Sequence, residues 1–394
     1  MDQVKSLILS LFLLTCVFAA DVFAQTPILL GLDADMSSGS ARSGIAIKRG
    51  IELAIEEVNQ AGGVLGRPLK LVVKDHHGNP ARGADNIEDF AKDDDMVAVL
   101  GGLHTPVALY ELKNIHKYKM IYLSPWAAGT PVVENGYDPN YVFRLSVRDE
   151  YAGGFLVEKA LKRGFKRIAL ALENTGWGRS NERAMKTALE AKGYNPVAVS
   201  WFHWGTGTAK EALGDLVRSK PDVILLVANA PEGKAIVKAM AEREESERVA
   251  IISHWGVTGG NFFAEAKEAI SKVDLTFLQT YSFIDRMDEG RARQVINAYV
   301  KRYPDADNVR DIYAPVGTAH AYDLVHILAK AITQAGTIDR AKVHEALEKL
   351  PPHNGLVRRY ARPFSAKKHD ALDVSDFNLS KFDKAGAIIP IGLE

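Results

Sequence analysis

The feature that most constrains the fold is an alternation of short apolar runs with longer stretches of helical periodicity, which continues along most of the chain from Pro27. Runs such as 28–34 (ILLGLDA), 69–75 (LKLVVKD) and 96–102 (MVAVLGG) are rich in β-branched or other apolar residues. The segments between them place apolar residues on one helical face. This pattern is typical of βαβ units, so the sequence predicts an α/β fold with doubly wound parallel sheets.

The alternation falls into two series of the same kind, followed by a different segment. In the first series we expect helices at 44–59, at 80–92 and from Thr105-Pro106 onward. In the second, which follows 142–150 (VFRLSVRDE), we expect helices at 151–163, 177–191, 209–218 and 232–244. The last segment has one strand, near 275–281, and predicted helices at 289–302, 312–335 and 339–349. Because few strands accompany these helices, we expect them to cover the first sheet.

The length and charge of the chain limit the domain organisation and the partners that it can have. A chain of 394 residues with 47% hydrophobic residues is long enough for two domains of ordinary size. We expect lobe I to contain residues 25–147 and 283–362, and lobe II to contain residues 148–282 and 363–394. The 49 basic and 49 acidic residues cancel, so no overall field favours nucleic acid or an anionic membrane as a partner.

The first 24 residues have the pattern of a secretory signal peptide. Lys5 precedes an apolar run from Leu7 to Phe18, and small residues occupy the end at Val22 and Ala24. We expect cleavage after Ala24 and a periplasmic protein. A membrane anchor is the alternative, although the run is shorter than the roughly 20 residues that span a bilayer. The single cysteine, Cys16, would leave with the peptide unless it is a lipoprotein site.

Several short motifs carry a family resemblance. They are Ser43-Gly44, 50–54 (GIELA), 56–59 (EEVN), 61–69 (AGGVLGRPL), 123–125 (LSP), 143–146 (FRLS) and 174–178 (NTGWG). In this order the motifs resemble the branched-chain amino-acid (Leu/Ile/Val) binding proteins of ABC importers, and the similarity covers nearly all of the mature chain. The resemblance implies a type I periplasmic binding protein, in which two Rossmann-like lobes joined by three crossovers close over a ligand. It also implies an ABC permease as the membrane partner.

Ligands of open parallel sheets bind beyond the carboxyl ends of the strands, so the loops there are the candidate site. In the loop after 96–100, we expect Thr105 to cap a helix whose free N–H groups receive a carboxylate. Arg42, beside Ser43, is as well explained by a solvated surface role. The candidate ligand-binding residues of the first lobe are Ser43, Leu103, His104, Thr105, Ser124, Trp126, Ala127 and Ala128.

The resemblance points to further residues, most of them in the second lobe. They are Asp149, Trp177, Asn229, Ala230, His254, Trp255 and Tyr281, the last near a predicted crossover. Trp126, Trp177 and Trp255 follow predicted strands, which favours a pocket with flat apolar walls. Asp149 matches a position where relatives bind the ligand ammonium, whereas Trp255 occupies the place of a second acid. We therefore expect a carboxylate with an apolar or aromatic body, either a hydrophobic amino acid or an aromatic acid.

Other functions are less well supported by the residues. The chain has no dinucleotide turn, P-loop, nucleophile elbow or zinc-protease pair. Nothing in the sequence brings His104, Ser124 and Asp149 together as a triad, and we expect 75–77 (DHH) to be a surface loop. We predict a monomeric binding protein with a small-molecule ligand, no metal and no cofactor. A sensor of the same fold remains open, and neighbouring kinase rather than permease genes would favour it.

Overall fold

A computed structural model describes residues 26–205 and 207–391 of the chain. The predicted signal peptide and Cys16 lie outside the described residues. Within the described ranges, no helix is both long enough and apolar enough to cross a membrane.

The first sheet has five parallel strands in the order β2-β1-β3-β4-β5. The strands are β1 (Ile28–Ala34), β2 (Leu69–Asp75), β3 (Met96–Leu100), β4 (Ile121–Ser124) and β5 (Val142–Arg144). The helices between them are α1 (Ala41–Gln60), α2 (Pro80–Ala91), α3 (Thr105–Lys117) and the short α4 (Thr130–Val133). The central strand β3 is buried along its whole length, as expected for a parallel sheet covered on both faces.

The second sheet has seven strands in the order β14-β13-β10-β9-β8-β6-β7, with β13 (Asn378–Phe382) and β14 (Ile388–Pro390) at one edge. Its parallel strands are β6 (Ile168–Glu173), β7 (Ala198–Phe202), β8 (Val223–Val227), β9 (Ala250–Ser253) and β10 (Leu275–Gln279). Its helices are α5 (Asp149–Lys162), α6 (Gly176–Glu190), α7 (Thr208–Arg218), α8 (Ala230–Ala241) and α9 (Phe262–Ile270). The predicted α/β fold with parallel sheets is confirmed.

The last segment adds three helices, which are α10 (Gly290–Arg302), α11 (Pro315–Ala335) and α12 (Arg340–Leu347). Helix α11 packs along α1 in the first lobe, where the Thr318 hydroxyl donates to the Ala46 carbonyl at 3.1 Å. A Cβ at Gly50 would lie 2.2 Å from the Thr318 carbonyl oxygen, so a glycine permits this close approach. These contacts attach α11 to the first lobe through α1.

Four strands in the last part of the chain were not expected from the sequence. Strands β11 (His353–Asn354) and β12 (Arg359–Tyr360) form a separate two-stranded sheet. Strands β13 (Asn378–Phe382) and β14 (Ile388–Pro390) lie at one edge of the second sheet. Strand β13 pairs antiparallel with β10 and β14 pairs antiparallel with β13. They are short and mostly half-buried, so they lack the continuous apolar run by which the parallel strands are recognised.

The chain passes between the two sheets after β5, after β10 and again before β13. In the last passage the Arg144 amide donates to the His369 carbonyl at 2.8 Å, and the Ala371 amide donates to the Arg144 carbonyl at 2.9 Å. Residues 369–371 thus run beside β5 of the first sheet before the chain joins the second. The lobe boundaries given above remain a prediction.

Candidate functional site

A small cavity with about 10 Å³ of free volume lies between the carboxyl ends of the two sheets. Loops that follow β3 and β4 form one wall, and residues that follow β6, β7, β8 and β9 form the other. The lining residues are Leu103, His104, Thr105, Pro106, Trp126, Ala127, Ala128, Glu173, Trp177, Trp204, Asn229 and Trp255. Nine of the fifteen residues predicted from the sequence are therefore brought together here.

The wall from the first sheet depends on Gly102, which has a positive φ of 70°. A Cβ at this position would lie 2.7 Å from the Ser124 hydroxyl oxygen, so glycine allows the loop after β3 to pack on the end of β4. The Gly102 carbonyl also accepts a hydrogen bond from the Ala127 amide. These contacts bring the loop after β3 and the loop after β4 to the same side of the cavity.

The expected capping role of Thr105 is wrong. The N-cap position of α3 is His104, with no side-chain capping bond, and Thr105 is the first helical residue. The Thr105 hydroxyl instead accepts a hydrogen bond from the Gly129 amide at 3.1 Å. Thr105, which carries the first N–H of α3, still lines the cavity, whereas Pro106 has no N–H and the Val107 amide donates to the His104 carbonyl at 3.1 Å.

Four tryptophans, Trp126, Trp177, Trp204 and Trp255, line the cavity. The rings of Trp126 and Trp255 lie 5.4 Å apart between centroids and belong to opposite walls. Trp204, which the sequence analysis did not single out, lies 5.1 Å from the His104 ring. Like the other three tryptophans it follows a strand end, here that of β7, and this shared position was the signal that could have found it.

Glu173 is the functional candidate that sequence reasoning missed. It ends β6, is fully buried, and accepts hydrogen bonds from the Thr175 hydroxyl at 2.6 Å, the Trp204 indole at 2.8 Å and the Asn229 amide at 3.1 Å. Burial raises the pKa of Glu173 to about 8, so its carboxyl group is mostly neutral at pH 7. An acidic residue that ends an apolar strand, here 167–173 (RIALALE), was the available signal.

Asp149 lies outside the cavity lining. The Trp177 indole donates to its Oδ1 at 3.2 Å, and His254 Nε2 lies 3.2 Å from the same oxygen. His254 Nδ1 accepts from the Trp255 amide at 2.9 Å, so the ring proton belongs on Nε2, facing Asp149. Among the residues that the structure describes, Glu173 is thus the only acidic side chain that lines the cavity.

The other predicted residues do not line the cavity either. Ser124 is buried at the end of β4, and Ala230 begins α8. Tyr281 follows β10 and packs edge-on against Phe283 at 4.9 Å between centroids. Ser43 contributes in another way, because its hydroxyl donates to the Gly259 carbonyl of the opposite lobe at 2.9 Å.

Polar contacts join the two lobes around the cavity. Besides the Ser43 contact, Arg42 Nη1 donates to Asn261 Oδ1 at 2.8 Å, and the Thr130 amide donates to the Ser180 hydroxyl at 3.1 Å. Arg42, for which a solvated role was equally expected, therefore bridges the lobes. Where these contacts form, the cleft between the two lobes is narrow.

His104, Ser124 and Asp149, the three residues considered as a catalytic triad, have different hydrogen-bond partners or different positions in the fold. His104 Nε2 lies 3.6 Å from Asp35 Oδ2. Burial tends to raise the pKa of Asp35, but hydrogen bonds from His104 and Ser38 outweigh it and hold that pKa well below its ordinary value. Asp149 pairs with Trp177 and His254 instead. The arrangement orients the His104 ring and forms no chain of hydrogen bonds from His104 to Ser124.

The family described as periplasmic binding protein matches residues 27–385 of the chain. Among curated proteins, the chain is similar to Leu/Ile/Val-binding protein homolog 1 of Brucella abortus (strain 2308). The two are 24% identical over 341 residues, which cover 86% of this chain and 87% of the Brucella protein.

Solved structures share the fold over nearly the whole chain. The substrate-binding protein of a branched-chain amino acid transporter from Streptococcus pneumoniae, in complex with isoleucine, has a TM-score of 0.77 at 20% identity and covers 93% of this chain and 100% of its own. A solute-binding protein of an ABC transporter from Rhodopseudomonas palustris, in complex with 4-hydroxybenzoate, has a TM-score of 0.79 at 20% identity and covers 94% and 96%. The chain therefore belongs to the periplasmic binding protein family, as its resemblance to the Leu/Ile/Val-binding proteins predicted.

Proposed function

We propose that this chain is the extracytoplasmic solute-binding component of an ABC importer and that it binds a small carboxylate with an aromatic or apolar body. The observation that carries the proposal is the composition of the cavity, in which four tryptophans surround few polar groups. Flat apolar walls with a small number of oriented polar groups are typical of sites for small organic ligands.

Two features favour a carboxylate as the polar group of the ligand. Leu103, His104 and Thr105 line the cavity at the start of α3, and the first N–H groups of a helix attract an anion. The second feature is Glu173 on the opposite wall, which accepts a hydrogen bond from the Asn229 side-chain amide at 3.1 Å. A neutral Glu173 has one O–H that can donate to the ligand, and it does not repel an anion.

The same geometry disfavours an ammonium group. Asp149 is engaged by Trp177 and His254 outside the lining, and the pKa of Glu173 is raised by burial to about 8. At pH 7 the cavity therefore has no fully ionised acid to compensate a positive charge. We propose an aromatic or apolar acid without an amine as the first candidate. A hydrophobic amino acid is the second candidate, which the named Leu/Ile/Val-binding relatives favour.

A calorimetric panel distinguishes the candidates. Benzoate, 4-hydroxybenzoate, leucine, isoleucine, phenylalanine and glucose would be titrated at pH 7 into protein freed of co-purified ligand by unfolding and refolding. We expect the aromatic acids to bind most tightly and glucose not to bind. Tight binding of glucose, with neither acids nor amino acids bound, would contradict the proposed function. Tight binding of leucine alone would keep a solute-binding role and replace the first candidate by the second.

Closure of the cleft follows from contacts on both walls. A ligand that touches Trp126 and Trp255 interacts with both lobes only when they are close, so it stabilises the closed form over an open one. The contacts of Ser43 and Arg42 with the opposite lobe would form in the same state. Small-angle X-ray scattering of the panel samples should give a smaller radius of gyration with the bound ligand than without it. The closed lobes would then present the surface that a permease recognises.

Trp177 provides a direct test of the aromatic wall. We expect Trp177→Ala to weaken binding of the best ligand by about thirtyfold, because losing a buried aromatic contact costs roughly 2 kcal/mol. Trp177→Phe is the matched control, since it keeps an aromatic wall and removes only the indole bond to Asp149. A smaller loss for the phenylalanine variant would identify the ring as the contact. An unchanged affinity in both variants, measured by calorimetry on proteins with native circular dichroism, would remove Trp177 from the site.

A further inference from the structure

A cluster of two histidines and one glutamate lies far along the chain from the cavity lining. His344 is in the last turn of α12, Glu348 follows one turn later, and His369 belongs to the segment that runs beside β5. One nitrogen or oxygen from each side chain lies within 4.8 Å of the others. Both histidines are buried, at 5% and 6% exposed.

The ring of His369 is held in the orientation that a metal ligand needs. Its Nδ1 donates to the Val142 carbonyl at 2.8 Å, and Phe143 stacks on the ring with 4.1 Å between centroids. In the neutral ring this leaves the lone pair on Nε2, which faces Glu348 Oε1 at 3.1 Å. A carbonyl that accepts from the distal nitrogen is the usual support of a metal-bound histidine.

The separations between these atoms match a small tetrahedral centre. Glu348 Oε1 lies 3.1 Å from His369 Nε2 and 3.7 Å from His344 Nε2. His344 Nε2 lies 3.0 Å from the Asn140 carbonyl oxygen. Bonds of about 2.0–2.1 Å at tetrahedral angles hold neighbouring ligand atoms about 3.3 Å apart. The two Glu348 separations lie on either side of this value, and the two histidine nitrogens lie within 4.8 Å of each other.

We propose that His344, Glu348 and His369 bind a divalent transition metal, with Zn²⁺ the best match to two imidazoles and one carboxylate. His344 Nε2 now donates to the Asn140 carbonyl, so when the ion binds this nitrogen the ring proton moves to Nδ1 of the same imidazole. The fourth position is open to water or to that carbonyl, because Asn140, His344, Glu348 and His369 all line a surface depression. The sequence analysis predicted no metal.

A second cluster is a natural control. Asp35, Asp75 and His77 also come within 4.8 Å, but their atoms are used by the protein. Asp75 accepts from the Met36 and His77 amides at 3.0 and 2.8 Å, and the Ser37 hydroxyl contacts His77 Nδ1 at 2.8 Å. These bonds account for the cluster as a loop-stabilising network.

The site would connect α12 to the passage between the lobes. Its ligands join the last helix of the first lobe to residues 369–371, which pair with β5. Since an ion that binds only the folded chain stabilises it, we expect Zn²⁺ to raise the melting temperature by several degrees.

The test uses the whole protein, stripped with EDTA and titrated with Zn²⁺ by calorimetry. We expect one equivalent to bind with a dissociation constant in the micromolar range or below, and His369→Gln and Glu348→Gln each to weaken it at least about tenfold. Asp75→Asn is the matched control and should leave binding unchanged. X-ray absorption of the zinc-loaded wild-type protein should show two imidazole nitrogens, a readout that does not depend on how the variants fold. Absence of micromolar binding, a spectrum without imidazole, or a loss caused by Asp75→Asn alone would overturn the proposal.

Discussion

Replacing Arg144 by alanine is expected to lower the free energy of unfolding by about 3–5 kcal/mol. The Arg144 side chain is fully buried, and its Nε donates to Asp370 Oδ1 at 2.5 Å. Its Nη1 donates to the Gly129 carbonyl at 2.8 Å. Removing the guanidinium leaves a carboxylate that is 3% exposed with Arg148 Nη1, at 3.5 Å, as its remaining cationic partner, and a buried charge that loses its closest partner is strongly destabilised. Urea unfolding at pH 7 measures the change.

The position of Arg144 explains why the effect should reach the cavity. Asp370 belongs to the segment that passes beside β5 before the chain enters the second sheet, and Gly129 follows the loop that carries Ala127 and Ala128. The variant Arg144→Met/Asp370→Leu is the control, because it removes both charges while keeping apolar volume. We expect it to recover most of the lost stability. If Arg144→Ala costs under about 1 kcal/mol, the ion pair does not hold the crossover.

The second large effect concerns Glu173 and pH. Burial raises the pKa of this carboxyl group from an ordinary 4.5 to about 8, so the folded protein keeps a proton that the unfolded chain has lost. The stability that Glu173 contributes as a neutral acid is fully present below pH 4.5 and is lost as the pH rises through about 8. A shift of this size corresponds to a change on the order of 5 kcal/mol. Ligand-free wild-type protein should therefore become less stable between pH 5 and pH 9.

Glu173→Gln isolates this effect. Glutamine is neutral at every pH, and its carbonyl can still accept from Trp204 or Asn229, so the variant should lose less stability over the same range. Burial also raises the pKa values of Asp33 and Glu111, but these acids are present in both proteins and cancel in the difference. Parallel slopes of stability against pH for the two proteins would show that Glu173 is ionised in the fold at neutral pH.

The same variant bears on the ligand. For a carboxylate ligand without an amine, ionisation of Glu173 introduces repulsion, so wild-type affinity should fall above pH 8 and the glutamine variant should not show that fall. For an amino acid held through its ammonium group, Glu173→Gln should instead weaken binding already at pH 7. The direction of the change at pH 7 therefore distinguishes the two ligand classes.

The periodicity of apolar residues was enough by itself to predict the parallel strands and most helices of both lobes. Helix α1 and strand β1 were predicted to within three residues of their observed ends, because a buried parallel strand and an amphipathic helix each leave a regular pattern of apolar residues. Strands β13 and β14 were missed because half-buried edge strands leave no such regular pattern of apolar residues. Helix α9 was also missed.

What the sequence determined by itself was therefore the α/β architecture, the strand ends that form the cleft and the tryptophans that follow them. Only the tertiary structure decided which polar groups face the cavity. Asp149, matched to a ligand-binding position, is engaged by Trp177 and His254, whereas Glu173 borders the cavity with a raised pKa. The physical reason is that burial and hydrogen-bond partners arise from residues distant along the chain, and these contacts set both the direction of a carboxyl group and its charge.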